Sequence, residues 1–203
     1  MQPTMLDLYS GAGGAAYGYR MAGWHVTGVD INPQPRYAGH VFHQGDALEF
    51  LAAHGHEFDA VHASPPCQHY ANVTRWRGDQ DEHVDLLADT RDALTRSYAP
   101  WVIENVPEAP LRPDFLLCGS MFDLRVRRHR AFETSGWGLQ LTAPCNHRMG
   151  LRPFNHSNER AYADAMGCSW MSAREGRQAV PPAYTEHIGL TLLDQLPALT
   201  TAA

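Results

Sequence analysis

Thr4-Met5-Leu6-Asp7-Leu8-Tyr9-Ser10-Gly11-Ala12-Gly13-Gly14 is a short apolar strand running straight into a glycine-rich turn. A helix over residues 15–22 follows, stopped by Gly23, and a second strand over residues 25–29 ends in Asp30. The alternation continues. Residues 41–44 form a strand ending at Gly45-Asp46, and residues 47–53 form a helix. The apolar run 58–63 is a buried strand that stops at Ser64-Pro65-Pro66-Cys67-Gln68. Beyond a polar stretch, residues 82–97 carry helical periodicity, and Trp101-Val102-Ile103 is a strand ending at Glu104-Asn105-Val106-Pro107. Strands and helices alternating at this spacing predict an α/β fold: a Rossmann-like, doubly wound, mostly parallel sheet with ligand groups at the strands' carboxyl ends. Gly14, Asp30, Asp46, Cys67 and Glu104 all occupy such ends, so one site is expected to collect them. Residues 115–118 and 131–133 read as late strands, residues 135–180 contain no run long enough to assign, and a final helix covers residues 184–196.

Composition narrows the class. At 203 residues the chain can bury one substantial core. No apolar run approaches the ~20 residues that cross a bilayer, and no leader-like segment precedes the first strand, so a cytoplasmic protein away from membranes is expected. The net charge of -6 argues against an evenly basic nucleic-acid binder. All sixteen basic residues are arginine, the better residue for bidentate contacts to phosphates and base edges, and Arg125, Arg127, Arg128 and Arg130 are the densest group. The four cysteines form no C-x-x-C pair. Cys145, His147, His156 and Cys168 fall in one late segment, but their spacing is loose and no residue is assigned as a metal ligand.

Each motif has a chemical and a plain reading. Glycines at 11, 13 and 14 let the backbone approach an adenosine-containing cofactor, and Asp30 can accept from both ribose hydroxyls. The pattern suits a nicotinamide and S-adenosyl-L-methionine alike, and also a simple tight turn. Asp46 suits an adenine amino group or the N-cap of the next helix. Two prolines hold Cys67 rigidly at a strand end, as a nucleophile requires; the alternative is a thiol buried as a small hydrophobe. Glu104 is a proton donor in a site or a structural carboxylate paired to an arginine.

In their order these pieces resemble the DNA cytosine-5 methyltransferase family. Residues 7–14 resemble its cofactor motif, with Tyr9 where phenylalanine is usual. Pro66-Cys67-Gln68 resembles its catalytic cysteine motif, Glu104-Asn105-Val106 its glutamate motif, Arg128-His129-Arg130 its arginine motif with Val126 in place of a glutamine, and residues 178–182, more weakly, its closing motif. The resemblance implies a class I methyltransferase fold with S-adenosyl-L-methionine as cofactor, contacted by Tyr9, Ser10, Gly11, Gly13, Gly14, Asp30, Ile31, Asp46, Ala47 and Pro65. It implies catalysis by Cys67, Glu104, Arg128 and Arg130 on cytosine in double- or single-stranded DNA. A cytosine in a duplex must be flipped out to react. Residues 69–81 would then be a mobile loop, where Gln68, Asn72, Arg75, Trp76 and Arg77 contact nucleic acid.

The likeness is thin after residue 133. Residues 1–134 are expected to form the cofactor-binding catalytic domain, residues 135–179 a small lobe, and residues 180–203 a segment packing back. Some 45 residues cannot build the sizeable target-recognition region of full-length relatives. A compact, phage-like member is therefore expected, reading a short site, acting broadly on cytosine, preferring single strands, or borrowing a protein partner; oligomeric state is left open. RNA or nucleotides as substrate, a dinucleotide-dependent oxidoreductase and an inactive binding module are the competing readings.

Overall fold

The computed structural model describes residues 2–66, 70, 85–97, 99–147, 152, 155 and 157–201. Its strands are β1 (Thr4–Leu8), β2 (His25–Asp30), β3 (Val41–Gln44), β4 (Ala60–Ala63), β5 (Trp101–Asn105), β6 (Phe115–Leu117) and β7 (Arg130–Thr134). The α-helices are α1 (Gly14–Met21), α2 (Ala47–His54), α3 (Leu87–Thr95), α4 (Glu159–Ala165), α5 (Ala173–Gln178) and α6 (Pro182–Thr201). One seven-stranded sheet runs in the order β3-β2-β1-β4-β5-β7-β6. The first five strands are parallel, while β7 pairs antiparallel with both β5 and β6. This is the mostly parallel α/β sheet expected, with the late strands added as an antiparallel edge.

Alternation along the strands divides the core. Met5, Val26, Ala60, Val102 and Phe132 face α1 and α6 on one side. Leu6, Leu8, Val29, Val61 and Ile103 face Leu51 of α2 and Leu87 and Leu94 of α3 on the other. Helix α6 lies along α1, joined by Thr185 Oγ1 donating to Ala15 O at 2.9 Å and Trp24 Nε1 donating to Gly189 O at 3.1 Å. Among the described residues, no helix is long and apolar enough to cross a membrane.

Two expectations need correction. Residues 135–180 are not wholly irregular: α4 and α5 lie within them. Both helices are short, so periodicity is weak, yet Ser172 and Glu175 form a reciprocal capping box that opens α5, and S-x-x-E was visible in the sequence. Of the helix expected over 82–97, residues 85, 86, 96 and 97 fall outside the observed helix Leu87–Thr95, and residues 82–84 lie outside the described residues. Tyr162, Met166, Cys168 and Met171 bury themselves with Val126 and Ala12, pressing the small lobe onto the glycine turn. Trp170 reaches the same turn and donates from Nε1 to Ala12 O at 3.1 Å.

Candidate active site

The carboxyl ends of β1, β2, β4 and β5 open onto a cavity of about 330 Å³. Leaving β1, the chain turns through two residues with left-handed backbone, Tyr9 (φ 59°) and Gly11 (φ 49°). A third, Gly13 at φ 81°, caps α1. The tyrosine conformation costs energy for a residue with a side chain, and the Tyr9 hydroxyl hydrogen bonds Thr90 Oγ1 at 2.8 Å. A Cβ added at Gly14 would stand 2.5 Å from Val180 O, so a side chain there would push the start of α6 away from the cavity.

Tyr9, Ser10, Gly11, Gly14, Asp30, Ile31, Asp46, Ala47 and Pro65 line this cavity, as do Glu104 and Arg130. Gly13 shapes the turn without forming the wall. Asp30 Oδ2 accepts from Gly11 N at 2.9 Å and Oδ1 from Asn32 N at 2.9 Å, which locks the glycine turn to the end of β2. Asp46 fulfils its capping role: Oδ1 accepts from Leu48 N at 2.8 Å and Glu49 N at 2.9 Å, leaving Oδ2 for other partners.

Glu104 and Arg130 form a buried ion pair, Oε1 to Nε at 2.5 Å, on neighbouring strands β5 and β7. The contact is close but lacks hydrogen-bond alignment, since Oε1 has no hydrogen-bond partner. Arg128 sits outside the cavity. It is buried, its guanidinium lies 5.9 Å from the centre of the Tyr162 ring, and Nη2 donates to Arg177 O at 3.1 Å. Burial, with Arg130 nearby, pulls its pKa below the ordinary arginine value. It therefore ties the segment before β7 to the small lobe and does not face the cavity. A shallower hollow of about 490 Å³ beside it is lined by Val106, Glu108, Arg127, Arg128, Arg130 and others. Arg130 borders both spaces.

Cys67, Gln68, Asn72, Arg75, Trp76 and Arg77 lie outside the described residues. Pro66, the residue before Cys67, lines the cavity. Its approach is well anchored: Asn105 Nδ2 donates to Pro65 O at 3.0 Å, and a buried chain runs from Tyr19 Oη through both nitrogens of His62 to Ser64 Oγ, 2.9 Å at each step. Burial drops the His62 pKa to about 3, so the ring is neutral.

Asp7 is the functional candidate that motif reading did not single out. It lies wholly buried on β1 and lines the cavity, with neither carboxylate oxygen hydrogen-bonded. Ser10 Oγ, also on the cavity, has no partner either. Burial raises the Asp7 pKa well above 3.8. The charges of Asp30 and Glu104 add to this, and the nearby Ala16 amide, without good hydrogen-bond geometry, opposes it. The signal was available as an acidic residue inside an otherwise apolar strand. Gln178, Ala179, Val180 and Met171 complete the wall, bringing residues of the closing motif and the small lobe to the site. The other late-segment grouping does not assemble. Cys168 is buried in the small-lobe core, where its thiol is pushed up to about 12, and His156 lies outside the described residues.

A family model described as C-5 cytosine-specific DNA methylase matches residues 3–111, more than half of the chain. The Type II methyltransferase M.XorII of Xanthomonas oryzae pv. oryzae is 27% identical over 214 residues, covering 94% of this chain and 44% of that protein. The chain thus spans less than half the length of this curated relative. Among solved structures, the S. pombe Dnmt2 methyltransferase is 21% identical with a TM-score of 0.48, covering 66% of this chain and 49% of the other. The Entamoeba histolytica methyltransferase EhMeth is 18% identical with a TM-score of 0.49, covering 82% and 65%.

Proposed function

Because the chain belongs to the C-5 cytosine-specific DNA methylase family, we propose that it transfers a methyl group from S-adenosyl-L-methionine to C5 of cytosine in DNA. The step runs through a covalent bond between Cys67 and C6 of a flipped-out base. One observation carries this reading: a single cavity joins the glycine turn, Asp30 and Asp46 to the Glu104–Arg130 pair and to Pro66, the residue before Cys67.

The cavity's residues fit the proposed cofactor. Two orphaned carboxylate oxygens on Asp7 and an orphaned hydroxyl on Ser10 need partners that a cationic, amine-bearing ligand supplies. Asp30 keeps lone pairs for ribose hydroxyls, and Asp46 Oδ2 is spare for an adenine amino group. When bound, S-adenosyl-L-methionine supplies an electrophilic methyl carbon.

Cytosine C5 is a poor nucleophile until the Cys67 thiolate adds to C6, which pushes electron density toward C5, N3 and O2. Glu104 donates a proton or hydrogen bond at N3 and Arg130 donates at O2, each held in place by its contact with the other. Loss of the C5 proton to water and departure of Cys67 restore the aromatic ring. Arg128 is a positioning residue, since it fixes the backbone before β7. In this reading the stretch 134–179 or a protein partner selects the target, and the protein works in the cytoplasm, where cysteines such as Cys118, Cys145 and Cys168 stay out of disulfides.

The test is trapping on DNA carrying 5-fluorocytosine, which cannot lose its C5 substituent as a proton. Wild type is expected to form a covalent protein–DNA complex that depends on S-adenosyl-L-methionine. Cys67→Ser is expected to form none while still binding the cofactor. Adduct formation by the serine variant, or methylation confined to RNA or to exocyclic amines, would overturn the proposal.

A further inference from the structure

Cys118, His129, Cys145 and His147 meet away from the cavity. Cys118 follows β6 and His129 precedes β7, and because Leu117 pairs antiparallel with Arg130, the sheet sets these two beside each other. Cys145 and His147 come back to them on the segment that leaves β7. One ligand atom from each of the four lies within 4.8 Å of all the others. Cys118 Sγ is 3.3 Å from His147 Nε2, and Cys145 Sγ is 3.5 Å from His129 Nε2 and 2.7 Å from His147 Nε2.

We propose that these four side chains bind a structural zinc ion. Tetrahedral zinc with Zn–S about 2.3 Å and Zn–N about 2.0 Å sets adjacent ligand atoms roughly 3.3–3.8 Å apart. Two of the three sulfur–nitrogen distances already match. The third must widen by less than about 1 Å, and it joins Cys145 and His147, both exposed. Two thiolates with two imidazoles favour zinc over oxygen-seeking cations, and four protein ligands leave no open position, as in structural sites. Binding releases one proton from each thiol, and the two thiolates neutralise the metal charge. Ser120 adds support around the ligands. Its hydroxyl lies 3.4 Å from Cys118 Sγ and 3.6 Å from Cys145 Sγ, and it accepts from Asn146 N at 3.1 Å.

The location links the metal to the candidate active site. His129 stands between Arg128 and Arg130, and Arg130 Nη1 donates to His129 O at 3.0 Å. Zinc at His129 would pin this tripeptide to the end of β6 and to residues 145–147, holding the backbone from which Arg130 reaches Glu104. The metal site itself does not depend on the proposed reaction; its effect on Arg130 does.

The experiment measures metal in the purified full chain by mass spectrometry and follows cobalt exchange optically. Expected are about one zinc per chain, the intense visible bands of tetrahedral cobalt with sulfur-to-metal charge transfer, and a lower melting temperature after chelation. Cys145→Ser and His147→Ala should each weaken metal affinity at least tenfold, whereas Cys168→Ser should retain it. A zinc-free wild type lacking a tetrahedral cobalt spectrum, a Cys118–Cys145 disulfide seen by mass, or full metal binding in both ligand variants would overturn the proposal. Should a variant fail to fold, the wild-type cobalt spectrum decides. Metal content is read without methyl transfer, so zinc binding in a protein inactive on DNA would leave this inference standing and refute only the proposed function.

Discussion

Replacing Asp7 by asparagine removes a buried ionisable carboxyl group while keeping its shape, and its effect on stability should depend on pH in a defined way. Asp7 is fully buried, has no hydrogen-bonding partner, and faces the like charges of Asp30 and Glu104. Its folded pKa is raised well above 3.8. Below pH 3.8 both folded and unfolded chains hold the proton and the group contributes nothing. Above it the unfolded chain ionises first and binds fewer protons, so stability falls by about 1.4 kcal/mol per pH unit until the folded group ionises too. Between pH 4 and 7 the loss is at most ~4 kcal/mol. Asp7→Asn eliminates it. Urea unfolding of both proteins without cofactor should give equal stability near pH 4 and a growing advantage for the variant toward pH 7, bounded by that figure. Isothermal titration should show the opposite for S-adenosyl-L-methionine, with affinity reduced roughly tenfold, because the variant has lost the carboxyl group that can ionise against the cationic ligand. A variant that is less stable at every pH, or that binds the cofactor as tightly as wild type, would refute the reasoning.

Asp30→Ala should lower cofactor affinity at least tenfold and, having lost acceptors for the Gly11 and Asn32 amides, cost about 1–2 kcal/mol, with faster hydrogen exchange at Gly11 reporting the loosened turn. Glu133→Gln should cost about 3 kcal/mol in urea unfolding, since the buried carboxylate is held by Arg91 and Arg112. Burial resists ionisation of Glu133, but those arginines outweigh it and leave the pKa below 4.5. Its stabilisation is therefore complete above 4.5 and lost as pH falls through the folded value, a limb that should flatten in the variant. His62 works on a higher window: with a folded pKa near 3 against 6.5 unfolded, the unfolded chain gains the proton first as pH drops below 6.5. Stability should decline from there toward pH 3, and His62→Gln should weaken that slope; an unchanged slope would mean that the ring is not held neutral.

The fold was readable because each parallel strand is a short apolar run stopped by a glycine, proline or acidic residue. Those stops mark the carboxyl ends, so Asp30, Asp46 and Glu104 could be assigned to one site before any coordinates. What the sequence did not show was concealed by different physics in each case. Asp7 lies within a strand, and only burial on all sides shows that its charge is unpartnered. Arg128 and Arg130 are two apart on a chain entering a strand, yet one faces the cavity and the other the lobe, a division set by where Tyr162 packs. Cys118 and His129 are eleven positions apart, and only antiparallel pairing of β6 with β7 makes them neighbours.

That pairing also explains how a short late segment can serve the site. Between β7 and α6 the described residues form only two helices, α4 and α5, and both are too short to stand alone. They are held from outside. Arg128 binds the Arg177 carbonyl, Arg36 bridges from the β2–β3 connection to Glu175 at 2.9 Å, and Trp170 bonds the glycine turn at Ala12. Each tether ends on a segment that touches the cavity or carries one of its residues. Ordering of the lobe and filling of the cavity should therefore be coupled: a ligand drawing Gly11, Asp30 and Val180 together stabilises the surfaces onto which the lobe packs, and the lobe returns Met171 and Gln178 to the ligand's wall. Protection of the Tyr162 and Gly176 amides from hydrogen exchange should rise when S-adenosyl-L-methionine is added, although neither residue lines the cavity. Unchanged protection at saturating cofactor would show that the lobe is a passive attachment.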